Sequence, residues 1–287
     1  MWVCFFLYFC PVKTLEHIIT PLSPELARFE AFFRQSLKAD TEPMDTIMRY
    51  VSDTKGKRLR PLLVLLSAKL FGEVNERTLR AATFVEMLHN ATLIHDDVVD
   101  DTDLCRDKAS VKAQFGNLSA VLAGDYLLAK AMLLIANDAD IMTEVLATSA
   151  AMSEGELIQG AVGLSYHGSR NGNRENSGCH NVTALQSQYL DIITRKTALL
   201  MRSCCVAGAM SVHATPEQIQ HIADFGLNFG VLFQLRDDLL DGENTEIAQA
   251  LLPEYQQKTL DSLKPFPATE MLGALRKLTV FCAERKE

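Results

Sequence analysis

Along most of this chain, apolar residues recur every three or four positions, the spacing of amphipathic helices. From Pro24 to Ala39 the apolar positions are Leu26, Phe29, Phe32, Phe33 and Leu37. A second helix is predicted from about Met44 to Val51. A third is predicted to begin at Pro61, a residue suited to a first helical turn, and to end at Gly72. The run from Glu76 to Asp100 has few breaks and reads as one long helix. Residues 119–136 are apolar almost all round, as in the central helix of a bundle. Residues 143–162 continue the helical pattern. The spacing then predicts helices from Leu185 to Met210, from Pro216 to about Leu240, and from Ala268 to Glu284. Residues 165–183 are rich in Gly, Asn and Ser and read as a surface loop insertion, and Lys264-Pro-Phe-Pro breaks the chain again. No stretch shows the two-residue period of a strand. These patterns predict an all-α, single-domain helical bundle over residues 21–287, preceded by an apolar extension over residues 1–20.

Composition narrows the function only a little. The net charge of −8 argues against a broad nucleic-acid surface. An acidic chain that handles an anionic substrate needs local cations. The seven cysteines are odd in number and lack paired C-x-x-C spacing, which reads as reduced thiols in a cytoplasmic protein. The opening stretch, MWVCFFLYFCPV, is apolar without a basic flank. It is shorter than the roughly 20 residues a spanning helix takes and lacks a signal-peptide layout. A weak anchor and a misassigned start codon are the two readings of it. No other segment is expected to be long and apolar enough to span a membrane.

The chemistry is carried by two acidic segments. Asp96-Asp97-Val98-Val99-Asp100 and Asp237-Asp238-Leu239-Leu240-Asp241 each follow an apolar helical run. Positions four apart share a helix face, so Asp96 pairs with Asp100, and Asp237 with Asp241. Like charges that close repel, and the helix dipole disfavours them at a C-terminus. Divalent cations resolve the conflict: Mg²⁺ takes oxygen ligands from one or two carboxylates together with substrate phosphates and water. A solvated acidic helix end is the bland reading of one such segment, and two copies argue against it. Gly56-Lys57-Arg58-Leu59-Arg60-Pro61 sets three cations at a helix start, a ready anion site or, read alone, a solvated basic turn.

With these three motifs in this order, the sequence resembles the trans-isoprenyl diphosphate synthases, and the resemblance runs from about Ala39 to Asp241. It implies a helical fold around a central cavity and the Mg²⁺-dependent condensation of isopentenyl diphosphate with an allylic diphosphate. It also implies a homodimer. By the same resemblance, Lys57, Arg60, His89 and Arg106 match the isopentenyl diphosphate site. Asp96, Asp97 and Asp100 match the first metal-binding motif, and Asp237, Asp238 and Asp241 the second. Lys196, Thr197 and Gln234 match contacts to the allylic diphosphate. Ala91, five residues before Asp96, matches a position that limits product length. A small residue there resembles members whose products are longer than geranylgeranyl.

The sequence departs from that family in three ways. Cys105-Arg106 stands where the family has two arginines, and losing one charge-assisted contact costs about 1.5–3 kcal/mol. After residue 242 the chain reads as carrying a deletion relative to the family, which has a lysine-bearing loop and two or more helices there, so exposed apolar surface is expected. The insertion at residues 165–183 is longer than the usual connection. A non-catalytic or degraded relative, or a subunit of a heteromeric synthase, is therefore the alternative to an active enzyme. A di-metal carboxylate bundle takes Glu-x-x-His pairs on two helices, which the chain lacks. A terpene cyclase fits two aspartate motifs plus a basic motif less well.

Overall fold

The computed structural model describes residues 18–53, 58–105, 108–168 and 182–285. After a short 3₁₀ turn at Thr20–Leu22 come α1 (Ser23–Leu37), α2 (Glu42–Ser52), α3 (Leu59–Phe71) and α4 (Glu76–Val99). A two-residue hairpin pairs β1 (Leu104–Cys105) with β2 (Lys108–Ala109). Then follow α5 (Val111–Phe115), α6 (Asn117–Ile135), α7 (Ala139–Gly168) and α8 (Val182–Ile193). A wide π turn, Thr194–Ala198, separates α8 from α9 (Leu199–Ser211). The chain continues as α10 (Pro216–Asp241), α11 (Thr245–Asp261) and α12 (Glu270–Glu284). The apolar N-terminal stretch and most of the polar insertion lie outside the described residues.

Local chemistry explains the boundaries. Asn75 caps α4: its side chain accepts from the Thr78 N–H, and the Thr78 hydroxyl oxygen accepts from the Asn75 N–H. Thr215 and Gln218 do the same for α10, with Pro216 in its first turn as expected. The α3 helix starts at Leu59 rather than Pro61, because Arg58 adopts a left-handed conformation and turns the chain one step earlier. The segment from Leu185 to Met210 is interrupted by the π turn, which the apolar pattern alone did not reveal.

α4 and α9 run through the core: α4 packs on α6, α3 and α9, and α9 packs on α10, α3 and α7. Phe29, Phe33, Phe84, Phe225 and Phe229 and the run Leu62–Leu66 are buried here. Each contributes on the order of 1.5–3 kcal/mol by leaving water. This packing ends α4 and α10 with their acidic segments at the helix C-termini.

Two expectations are corrected by the packing. Residues 245–261 form a helix, α11, which seats Ala248 and Leu251 against Tyr189, Ala198, Val231 and Leu235. The surface after Asp241 is thereby covered, and the apolar exposure foreseen there falls elsewhere. It lies mainly on α6, where Leu118, Val121, Leu122, Met132 and Leu133 form one exposed face. α6 is also long and apolar enough to cross a membrane by length and hydropathy, contrary to the sequence reading. Its other face, including Ala123, Leu127 and Ala131, is buried in the bundle.

Candidate active site

The first aspartate segment closes α4. Asp97 is buried, Asp96 half-buried, and Asp100 exposed as the capping residue, its N–H donating to the Asp96 carbonyl at 2.8 Å. Burial, then the charges of Glu156 and Asp100, raise the Asp96 pKa to about 6 against the pull of Lys196. Burial raises Asp97 to about 6 as well, while the Cys105 thiol bonded to it works the other way. The i, i+4 pairing of Asp96 with Asp100 foreseen from the spacing is thus present as a mutual repulsion.

The second segment closes α10. Burial lifts Asp237 to about 7 even though Arg285 pairs with it. Asp241 rises to about 6 through burial and the charges of Glu243 and Asp238. Asp238 is buried and accepts from the Tyr189 hydroxyl at 2.5 Å and from Gln234 Nε2 at 2.7 Å. Gln234 Oε1 in turn accepts from the Thr197 hydroxyl at 2.7 Å. Thr197, Gln234, Asp238 and Tyr189 therefore form one hydrogen-bonded row linking the π turn to α10.

Lys196 joins the two segments. It sits in the π turn, and its ammonium opposes the pKa rise of both Asp96 and Asp238. Its charge thus acts on carboxylates at the ends of two different helices. The close fit comes partly from Gly230 on α10: a Cβ there would fall 2.4 Å from the Ala198 Cα.

The basic motif divides. Arg58 turns inward, with ion pairs to Glu86 at 2.6 Å and Glu30 at 3.1 Å, and stacks on Phe33. Arg60 and His89 are buried on α3 and α4, and Arg60 acts electrostatically on Cys204. Lys57 and Arg106 lie outside the described residues. Ala91 is wholly buried on the inner face of α4. One Glu-x-x-His spacing does occur, from Glu86 to His89, but Glu86 is engaged by Arg58.

Three participants were not read from the sequence. Glu156 on α7 pairs with Lys196 at 2.9 Å. Tyr189 bonds Asp238. Arg285 follows α12 and seats its guanidinium on Asp237 and over the Phe233 ring, 4.5 Å from the centroid. The helix packing brings these residues here, and they lie outside the two aspartate segments and the basic motif.

The donor set suits a hard cation, since it offers oxygen only and holds excess negative charge. Among the described residues, no three acidic, histidine or cysteine side chains converge to enclose an ion by themselves. Mg²⁺ ordinarily needs only one or two carboxylates beside substrate oxygens and water, so the residues fit it.

The polyprenyl synthetase family profile matches residues 41–249, which contain all of these motifs except Arg285. The chain belongs to this family. It is 30% identical to the octaprenyl diphosphate synthase of Escherichia coli (strain K12) over 229 residues, 79% of this chain. The match spans 66% of that relative's length, just under two thirds. It is 33% identical to the heptaprenyl diphosphate synthase component 2 of Geobacillus stearothermophilus, over 81% of this chain and 68% of that protein. The crystal structure of a Caulobacter crescentus polyprenyl synthase, complexed with calcium and isoprenyl diphosphate, superposes with a TM-score of 0.80 at 25% identity. It covers 95% of this chain and 98% of that one. The all-α isoprenoid synthase fold of this family is the fold described above.

Proposed function

We propose that this chain is a prenyltransferase that joins isopentenyl diphosphate to an allylic diphosphate and builds a polyprenyl diphosphate. The observation that carries the reading is Lys196, whose charge acts on Asp96 at the end of α4 and on Asp238 at the end of α10. A cation that acts on two acidic helix ends suits a polyanion that brings its own bridging metal ions. The names of the relatives, and the isoprenyl diphosphate bound in the Caulobacter neighbour, support the same reading.

In this reading Asp96, Asp97 and Asp100 hold Mg²⁺ from one side, and Asp237, Asp238 and Asp241 from the other. Mg²⁺ supplies charge neutralisation for a departing diphosphate. Lys196 donates to that diphosphate, and the Thr197–Gln234–Asp238 row fixes its orientation. Lys57, Arg60, His89 and Arg106 bind isopentenyl diphosphate. Ala91 leaves room beneath Asp96 for a product longer than geranylgeranyl. The exposed apolar face of α6 is the homodimer contact, and the site of action is the cytoplasm.

Two observations favour a second reading, a partner-dependent or non-catalytic subunit. Cys105 stands beside Asp97 in place of an arginine, and Arg285 already occupies Asp237. One assay separates the two. Purified protein is incubated with Mg²⁺, labelled isopentenyl diphosphate and farnesyl diphosphate, and the products are sized. Labelled polyprenyl products that vanish with EDTA and in Asp96→Ala are expected. A folded protein that makes none alone, but does so with a second synthase chain, refutes the first reading in favour of the second.

A further inference from the structure

Glu156 has no counterpart in the motifs, yet it reaches the centre of the site. Its Oε1 lies 2.9 Å from Lys196 Nζ, and its side chain is 45% exposed while that of Lys196 is 16% exposed. The backbone on either side of the contact is closely packed. Gly155, the residue before it, presses α7 onto the π turn so closely that a Cβ would fall 2.8 Å from the Arg195 Cβ. The neighbouring Arg195 turns to other acids, Asp191 at 3.0 Å and Glu154 at 3.4 Å. Glu154 and Glu156 thus divide two successive cations, and the one given to Glu156 is the one that acts on both aspartate segments.

This arrangement is electrostatically odd for a site that receives a polyanion. Glu156 and Asp96 repel one another, so a carboxylate adds to an existing excess of negative charge. Among the described residues it pairs with the Lys196 ammonium, the group that a diphosphate would need. A half-exposed side chain can swing into water at little cost when a stronger anion claims that ammonium. Arriving diphosphate would also drive it off by like-charge repulsion.

Resting on the proposed function, we infer that Glu156 is a placeholder anion: it holds the Lys196 ammonium oriented between the two aspartate segments, yields it to an incoming diphosphate, and reclaims it to help expel the diphosphate product. Glu156 is a positioning residue in this scheme, because it acts through Lys196.

The test is binding of inorganic pyrophosphate in Mg²⁺, followed by titration calorimetry on the full chain. Glu156→Gln should bind pyrophosphate roughly threefold to tenfold more tightly than the wild type, since an isosteric amide removes the competing charge. Glu156→Asp, one methylene shorter, should fall between the two. In a Lys196→Ala background the gain from Glu156→Gln should disappear. Unchanged or weaker binding by Glu156→Gln, with binding still lost in Lys196→Ala, overturns the placeholder while leaving the proposed function intact. Pyrophosphate binding that ignores Lys196→Ala overturns both.

Discussion

Arg285 decides whether the second aspartate segment is a built part of this fold. Its guanidinium is 4% exposed, pairs with Asp237 (14% exposed), and lies over the Phe233 ring. Its carbonyl accepts from Arg236 Nε at 2.6 Å, which ties the end of α12 to the last turns of α10. Arg285→Gln keeps much of the volume and removes the charge. Breaking one side of a buried ion pair costs about 3–5 kcal/mol when the remaining charge is left without its partner, so the comparison is made at about pH 9, above the Asp237 pKa of about 7. For a chain of this size about 2 °C of melting temperature accompanies each kcal/mol, so a fall of about 6–10 °C is expected. Thermal melts followed by circular dichroism should be run on wild type, Arg285→Gln, Asp237→Asn and the double variant. The double variant should lose clearly less than the sum of the single losses, because each single change strands a buried charge that the double change removes. A melting temperature for Arg285→Gln within about 2 °C of wild type would refute the reasoning, and with it the seating of the C-terminal arginine on Asp237.

Three further outcomes follow from the same structure. The folded-state pKa values of Asp96, Asp97 and Asp241 (about 6) and Asp237 (about 7) lie above the unfolded value of 3.8. The folded state then binds more protons than the unfolded state between about pH 4 and pH 7, so stability in EDTA should fall as pH rises through that window. The groups facing them are Glu156, Lys196 and Asp100 at Asp96, Cys105 and Lys112 at Asp97, Arg285 at Asp237, and Glu243 at Asp241. A melting temperature flat across the window in EDTA contradicts the burial of these carboxylates, and Mg²⁺ should flatten the slope. Gly230→Ala forces a Cβ against the Ala198 backbone at 2.4 Å, so it should cost about 1–3 kcal/mol in denaturant unfolding. The same variant should weaken pyrophosphate binding by displacing the π turn, and unchanged stability would show that the close approach is not tight. Leu118→Glu with Leu133→Glu, at positions 75% and 77% exposed, should convert a dimer to a monomer in sedimentation velocity. A wild-type monomer would refute the α6 contact.

The sequence by itself determined the fold class and the acidic and basic motifs. Helical periodicity is a local property, written every three or four residues from Leu26 to Leu278. The repulsion within Asp96–Asp100 and Asp237–Asp241 was likewise readable, because a helix places residues four apart on one face whatever surrounds it. Arg58 shows where local reading stops: within the basic motif it looked like one of three equal cations, but Glu86 and Glu30 draw it inward from two other helices. The segment from Thr245 to Asp261 carried helical spacing too weak to stand out, and it becomes a helix by packing on α10. The π turn, Glu156 beside Lys196, Tyr189 beneath Asp238 and Arg285 on Asp237 were all decided by the tertiary structure. Each partner lies dozens of residues away in sequence, and only the way α7, α8 and α12 pack around α10 brings it within reach.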